Sequence, residues 1–318
     1  MPTMPTAADL AAMSLAAQHS LTRGWVEDTV RLALLAEEHA FDLHLATDLD
    51  LADQRAEFLK VGQPPEAFLN RWVEVRPGLS AMLSIRFEGL DPEKPFVDAS
   101  LTSRPVTASD LPALVAAGLG VYPMFRPGRL RIWSAAPLDG WTGALPGARP
   151  GLRVLAAPLA ELRAREVPED LTLRPTRDLS HHAGAVAAYA AVDATHPEHA
   201  GQARVIEAGA LTEAVGAGTM FDVLWRGEWS GYAGTLPETQ IGLPAQVVQE
   251  LLLTPRARGQ GLGPHLSILL AHHLPHDGRV LSGTVHGENR GARGAALKAG
   301  RHDVGGWTWV PLPAYPAG

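Results

Sequence analysis

The chain has 318 residues, 46% hydrophobic and 19% charged, which is a globular composition with room for two domains. A net charge of −7 argues against a nucleic-acid partner, which needs a basic face, and the absence of cysteine excludes disulfides, thiolate metal sites and cysteine nucleophiles. No apolar run approaches the ~20 residues of a membrane helix, and MPTMPTAADL lacks the basic start and apolar core of a signal peptide, so a cytoplasmic protein without a membrane partner is expected.

From Ala7 to about Val61 the apolar spacing is helical, with a third helix starting after Asp50 and Pro64-Pro65 ending the series. Phe68 to Val73 leads from a turn of helix into a strand. The period then changes: Met82 to Phe87 and Phe96 to Thr102 read as strands around the Asp91-Pro92 turn. Asp110 to Leu119 is helical, Leu130 to Trp133 a short strand, Pro137 to Pro150 a loop and Leu152 to Ala156 a strand. Glu161 to Asp170 is a charged connector, and the domain boundary is expected there, giving 1–165 and 166–318.

The second half begins with a strand at Leu171 to Pro175. Two helices follow, one capped by Asp178 or Ser180 and running to about Val192, the other from about Gln202 to Val215. Met220 to Trp225 and Trp229 to Leu236 flank Arg226-Gly227-Glu228 as a β-hairpin. Beyond the next strand and helix, described below, Arg279 to Val285 is a strand and Glu288 to Ala299 a helix. Trp307 to Val310 is expected to close the sheet of this half.

The most informative stretch is Val247 to Leu270, VVQELLLTPRARGQGLGPHLSILL. Its apolar start is a buried strand that stops at Thr254-Pro255. Arg256 and Arg258, then Gly259, Gly261 and Gly263, precede an amphipathic helix (Leu262, Leu266, Leu269, Leu270) with Pro264 tolerable only in its first turn. Strand, glycine-rich turn and helix start form an anion cradle, because glycines let successive backbone N–H groups approach a phosphate and the helix end adds partial positive charge. The pattern is neither G-x-x-x-x-G-K-[ST] nor G-x-G-x-x-G.

Arg258, Gly261 and Gly263 spell R-x-x-G-x-G, which resembles the coenzyme A pyrophosphate loop of the GNAT superfamily of N-acetyltransferases. The element order β-α-α-β-β-β-α-β-α-β over Leu171 to Pro313 is similar to that family's. So are Gly231-Tyr232-Ala233 on a hairpin strand, Val285 followed by Asn289, and the spacing of Asn289, Ala292, Lys298 and Gly300. The resemblance implies an α/β fold with a mixed sheet, the GNAT fold, in 166–318. The first half has a similar late order but reads TSRPVTASD between Thr102 and Asp110, without glycine. It is expected to be a degenerate GNAT-like unit, or another α+β domain, with a structural role.

The resemblance implies acetyl-CoA as acyl donor, bound by Leu252, Leu253, Arg256, Arg258, Gly259, Gln260, Gly261, Leu262, Gly263, Asn289 and Arg293. It also implies an oxyanion donor from the backbone N–H of Leu252 or Leu253. Glu250 is the candidate base: its apolar flanks would desolvate it and raise its pKa, although a solvent-facing strand-edge glutamate is the plainer alternative. His286 is a second acid–base candidate. The tyrosine that the family places on its last helix as thiolate acid falls here on Ala296. The tyrosines of this half, Tyr189, Tyr232 and Tyr315, lie elsewhere.

No metal is expected. His181-His182, His196, His199 and His272-His273 match no metal-binding motif, and His196 and His199 are expected near the acceptor wall or in solvent. Trp225 and Trp229 are expected to pack. The acceptor is expected to be a small-molecule amine or a peptide N-terminus, and the protein a monomer or homodimer. The alternative function is a module that binds or senses acyl-CoA without efficient catalysis, motivated by Ala296.

Overall fold

The computed structural model describes residues 3–137, 147–195 and 204–314. They fall into two compact units, Met1–Leu152 with Val304–Gly318, and Arg153–Asp303.

The first unit opens with helices α1 (Ala7–Ala16), α2 (Asp28–Thr47) and α3 (Leu49–Leu59). Thr6 and Asp9 form a reciprocal capping box on α1, and the Asp48 carboxylate accepts from the Leu51 amide to start α3. Next come strands β1 (Arg71–Arg76), β2 (Leu79–Phe87) and β3 (Pro95–Thr102), helix α4 (Leu111–Val121) and strand β4 (Arg129–Ser134). β1, β2 and β3 pair antiparallel, with an irregularity between Met82 and Ser84. β3 then runs parallel to β4 for three residue pairs only, Phe96 with Arg129 to Asp98 with Arg131. The core gathers Phe68, Leu83, Ile85, Val97, Leu114 and Leu130, all fully buried.

The second unit contains the end of β5 (Arg149–Pro158), α5 (Leu159–Arg163), β6 (Leu171–Pro175), α6 (His182–Thr195), α7 (Ala208–Gly216), β7 (Met220–Trp225), β8 (Glu228–Gln240), β9 (Leu243–Leu253), α8 (Gly263–His273), β10 (Val280–His286) and α9 (Arg290–Lys298). Its strands follow the order β5-β10-β9-β8-β7-β6. One face packs Leu159, Leu162, Leu266, Leu269 and Leu270 of α5 and α8 against Leu171, Val223 and Leu281. The opposite face packs Ala185 and Ala188 of α6 and Leu211 of α7 against Tyr232, Leu236 and Leu252. Period-two alternation supplies both faces from the same strands.

Two expectations are corrected. The compact units divide at Leu152/Arg153 and not at 165/166: the charged connector from Glu161 overlaps the end of α5, whose Leu159 and Leu162 are core residues of the second unit. The last strand, β11 (His302–Pro311), does not close the second sheet. From Val304 it belongs to the first unit, paired antiparallel with β4 from Gly306–Ser134 to Pro311–Arg129. Its tryptophans explain the choice. Trp307 meets Trp133 edge-on at 5.1 Å, Trp309 meets Phe96 at 4.8 Å, and the Arg131 guanidinium lies over Phe96, Trp307 and Trp309. The second sheet takes β5 beside β10 instead, with Val154 to Ala157 fully buried.

In the first unit the connection from β3 to α4 is closed on itself. The Asp110 carboxylate, with a side chain 1% exposed, accepts from both Arg104 Nη atoms at 2.8 Å, from the Thr107 amide at 2.9 Å and from its hydroxyl at 2.7 Å. Arg76 adds a contact at 3.3 Å. Asp110 thus fills, from within the chain, the role an anion would play. Arg104 foremost, with the Thr107 groups, holds its carboxyl well below the usual carboxylate range.

A depressed folded-state pKa stabilises the native state fully above the unfolded value of about 4, and that stabilisation fades as pH falls below it. Asp110→Ala is therefore expected to cost about 2 kcal/mol at pH 7 in urea unfolding, from a lost cap and charged hydrogen bonds. The deficit should shrink as the measurement moves below pH 4. A neutral effect at pH 7 would contradict this account.

Candidate functional site

β9 and β10 are parallel for three residue pairs, Ala245 with Val280 to Val247 with Ser282. Beyond Val247 and Ser282 they share no rung, so the β10 side of β9 from Val248 to Leu253 is unpaired by it. On its other side β9 stays paired with β8 to Leu253, with one slip: Gly234 faces Glu250 while Thr235 faces Val248, leaving Gln249 as an extra residue. This bulge inverts the strand's alternation. Val248 packs on the α8 face, and without the bulge Glu250, two residues on, would follow it. Instead Glu250 turns to the α6 face beside Leu252.

The same alternation sorts the backbone amides. The Thr254 N–H donates to the Ser230 carbonyl at 2.8 Å, so Leu252 two residues back also presents its N–H to β8. Leu251 and Leu253 present theirs to the gap. The Leu251 N–H is taken by Glu250 Oε1 at 3.1 Å. Of the two candidate oxyanion donors, Leu253 is the one aimed into the gap, while the Leu252 side chain packs in the core. Gly231, paired with Leu253, has φ +151°, and a Cβ there would lie 1.9 Å from the Leu252 carbonyl oxygen. This close approach explains the glycine of the Gly231-Tyr232-Ala233 triplet.

After Leu253 the chain turns through Thr254 to Leu262 into α8, with Pro264 in the first turn. The Ala257 and Arg258 amides donate to the Thr254 carbonyl. The amides of Gly259, Gln260, Gly261, Leu262 and Gly263 have no acceptor among the described residues. Gly259 and Gly261 hold φ of +75° and +76°, and a Cβ at either would project into open space. The buried Ala257 and Leu262 side chains anchor the loop to the core. Gly263 permits the packing of α8 on α9, since a Cβ there would lie 3.2 Å from that of Ala295. Five successive unpaired amides on a left-handed turn at a helix start fit a phosphate or pyrophosphate.

The arginines are otherwise engaged. Arg256 pairs with Glu228 at the exposed surface. Arg258 Nη1 donates to the Ala188 carbonyl of α6 at 3.0 Å, and burial lowers its pKa. Asn289 caps α9, its Oδ1 accepting from the Ala292 amide at 3.0 Å. Arg293 lies 3.5 Å from Asp303, and His286, at the end of β10, accepts from the Glu288 amide. Ala296, the position at which the resemblance implies a tyrosine, is 6% exposed and closed by packing.

Glu250 is 3% exposed. Its Oε1 accepts from the Tyr189 hydroxyl at 2.5 Å as well as from Leu251, and its buried Oε2 has no partner in hydrogen-bond geometry among the described residues. Burial pushes its pKa up to about 7, opposed by the Tyr189 hydroxyl and the amides of Ile206 and Leu251. Tyr189 is itself raised, by burial first and then by Glu250. The sequence reading placed Tyr189 only by exclusion from the last helix; its partnership with Glu250 spans 61 positions and leaves no local signal.

Of the histidines, His181 stacks on Trp229 at 4.6 Å, and His273 bonds to the Leu269 carbonyl and meets Phe221 edge-on. Among the described residues no group of three or more histidine, aspartate or glutamate side chains is placed to hold a metal. His196, His199 and Tyr315 lie outside the described residues. No described helix is long and apolar enough to cross a membrane.

No protein-family model matches the chain, and no curated protein matches its sequence. Similar solved structures include an acetyltransferase of the GNAT family from Colwellia psychrerythraea, at 11% identity and TM-score 0.47 over 83% of this chain and 96% of that one. Another is a GCN5-related N-acetyltransferase from Sphaerobacter thermophilus, at 18% identity and TM-score 0.44 over 75% and 78%. A third is a tandem GNAT protein from the clavulanic acid biosynthesis pathway, at 12% identity and TM-score 0.39 over 86% and 98%. The chain's own elements show an α/β fold with a mixed sheet, a bulged strand and a short parallel pair, and the strand motif is repeated in its first unit.

Proposed function

We propose that the second unit binds an acyl-CoA, most simply acetyl-CoA, and transfers the acyl group to an amine, either a small molecule or a peptide N-terminus. The observation that carries this reading is the run of five unpaired amides, Gly259 to Gly263, at the end of a strand that has parted from its neighbour. Those amides would hold the pyrophosphate, and the unpaired side of β9 would receive the extended pantetheine through backbone hydrogen bonds. The donor supplies an activated thioester carbonyl. The Leu253 N–H is oriented to stabilise an oxyanion on that carbonyl, and Glu250 Oε2, partnerless and near neutrality in pKa, is suited to take the amine's proton. Arg256 can join the anion only by leaving Glu228, a surface pair of small worth.

One observation favours the second reading, a module that binds or senses acyl-CoA without efficient turnover. The buried Ala296 leaves no tyrosine on α9 to protonate a departing thiolate. A coenzyme A thiol resembles a cysteine in acidity, and losing a general acid typically costs about 10²–10⁴ in rate, which slows transfer without abolishing it. Release of free thiol from acetyl-CoA over a panel of amines separates the readings: turnover supports the enzyme, and tight binding without turnover supports the module.

Gly261→Val should weaken acetyl-CoA binding at least tenfold by calorimetry, because its side chain enters the anion's approach and a β-branched residue resists φ +76°. Unchanged affinity would refute the cradle. Titration of the intact chain should saturate at one acetyl-CoA per chain, since the matching loop of the first unit is closed by Asp110. Two equivalent sites would refute that closure.

With a pKa near 7, Glu250 ionises as pH rises through neutrality, so kcat/KM should climb across that range. Glu250→Gln should lower the rate about 10²-fold or more and flatten the climb. Its stability has the opposite sense. A folded pKa above the unfolded value of about 4.3 means that stability falls as pH rises between the two, and the glutamine variant should lose that fall. A pH–rate profile identical in both proteins would remove Glu250 from the reaction.

A further inference from the structure

Two neighbouring residues of α6 are held by two different parts of the site. The Ala188 carbonyl accepts from Arg258, which belongs to the glycine loop, at 3.0 Å. The next residue, Tyr189, donates its hydroxyl to Glu250 Oε1 at 2.5 Å. Glu250 Oε1 is thus fixed from two sides, by Tyr189 and by the Leu251 N–H at 3.1 Å, while the Ile206 amide also acts on the carboxylate. Its other oxygen, Oε2, is buried and has no partner in hydrogen-bond geometry among the described residues. Across the strand pair its neighbour is Gly234, which carries no side chain to claim that atom.

We propose that Tyr189 is the positioning residue of Glu250: by occupying Oε1 together with the Leu251 amide, it fixes the carboxylate rotamer and reserves Oε2 as the proton-accepting atom. The assignment of a proton transfer rests on the acyl-transfer reading, whereas the positioning itself does not. Three further features support it. The Tyr189 hydroxyl lies in the same buried cluster as Ala188, Leu252 and Tyr232, where an unpaired hydroxyl or carboxylate is costly, so each is the other's natural partner. The Gln249 bulge turns Glu250 towards α6 and so makes the contact possible. Arg258 pins the same turn of α6 to the glycine loop, so that the tyrosine cannot drift from the strand without loosening the loop.

The charged and titratable groups that face Glu250 are Tyr189 from α6 and, through Tyr189, Arg258 from the loop. From β8, Tyr232 lies on the same face, its own hydroxyl raised to about 12 by burial, with Asp222 and Asp178 adding to the shift. The Tyr189 hydroxyl stabilises the ionised form of Glu250, so removing it must raise the carboxyl pKa further.

The test uses the full-length chain in three forms, wild type, Tyr189→Phe and Glu250→Gln, with the protonated-carboxyl infrared band titrated against pH. That readout needs no substrate. The component titrating near neutrality should be absent in Glu250→Gln, and its midpoint should rise by about one pH unit in Tyr189→Phe, as loss of a hydrogen bond to a charged group demands. With an active acceptor, the rising limb of kcat/KM should shift upward by the same amount while the KM for acetyl-CoA stays within about twofold. A 3-fluorotyrosine incorporated at position 189 keeps the shape, strengthens the donor and should move the midpoint the other way, which guards against a misfolded phenylalanine variant. If neither substitution moves the midpoint, the proposal is wrong. If both move it in a protein that transfers no acyl group to any amine, the positioning stands and the acyl-transfer reading falls.

Discussion

The site depends on what happens to β9 between Val247 and Leu253. Two things change within three residues: the parallel partner is lost after Val247, and an extra residue, Gln249, enters the pairing with β8. The first frees one edge of a buried strand, which elsewhere would be costly because its amides and carbonyls have no partners. The second inverts the side-chain alternation, sending a carboxylate to the α6 face and keeping Leu251 and Leu253 on the α8 face. Together they put a backbone donor from Leu253 and a buried acid from Glu250 on one short length of strand. The glycine turn follows directly, so an anion held there is aligned with the free edge.

The first unit shows what the same scaffold does without that turn. β3 and β4 also part after three pairs, β2 and β3 also carry an irregularity, and α4 also has a proline in its first turn. The strand geometry is thus common to both units. The difference lies in the connection, where Asp110, Thr107 and Arg104 satisfy one another. Fold and function separate here: the splayed strands belong to the architecture, and the availability of loop amides decides whether it can hold a ligand.

The sequence made the glycine turn legible because its signal is local: residue type, spacing and flanking periodicity all lie within Val247 to Leu270. The order of elements in the second half was legible for the same reason, with Leu171–Pro175 and Met220–Trp225 read at their observed limits. What stayed hidden depends on partners far apart in the chain. Tyr189 meets Glu250 across 61 positions, and the bulge at Gln249 leaves the composition of the strand unchanged. Arginine next to glycine suits an anion ligand, yet the observed partner of Arg258 is a helix carbonyl that no spacing rule points to. The helix α5 is hidden in the sequence because it is only five residues long, and its two charged residues sit beside the two leucines it buries, at the start of a charged run.

The chain crosses from one unit to the other within β5 at Arg153 and returns within β11 at Val304. Val304 to Pro311, which lies beside β4 in the first unit's sheet, is made on the ribosome only after the whole of Arg153–Asp303. Until then β4 presents an open edge at Arg129–Ser134, with Phe96 and Trp133 lacking their aromatic partners. The first unit therefore cannot finish folding during synthesis in the usual order, and its closing contacts span more than 170 positions. A gene cut between the halves leaves the first fragment without the strand that pairs with β4, and leaves the second carrying that strand without β4.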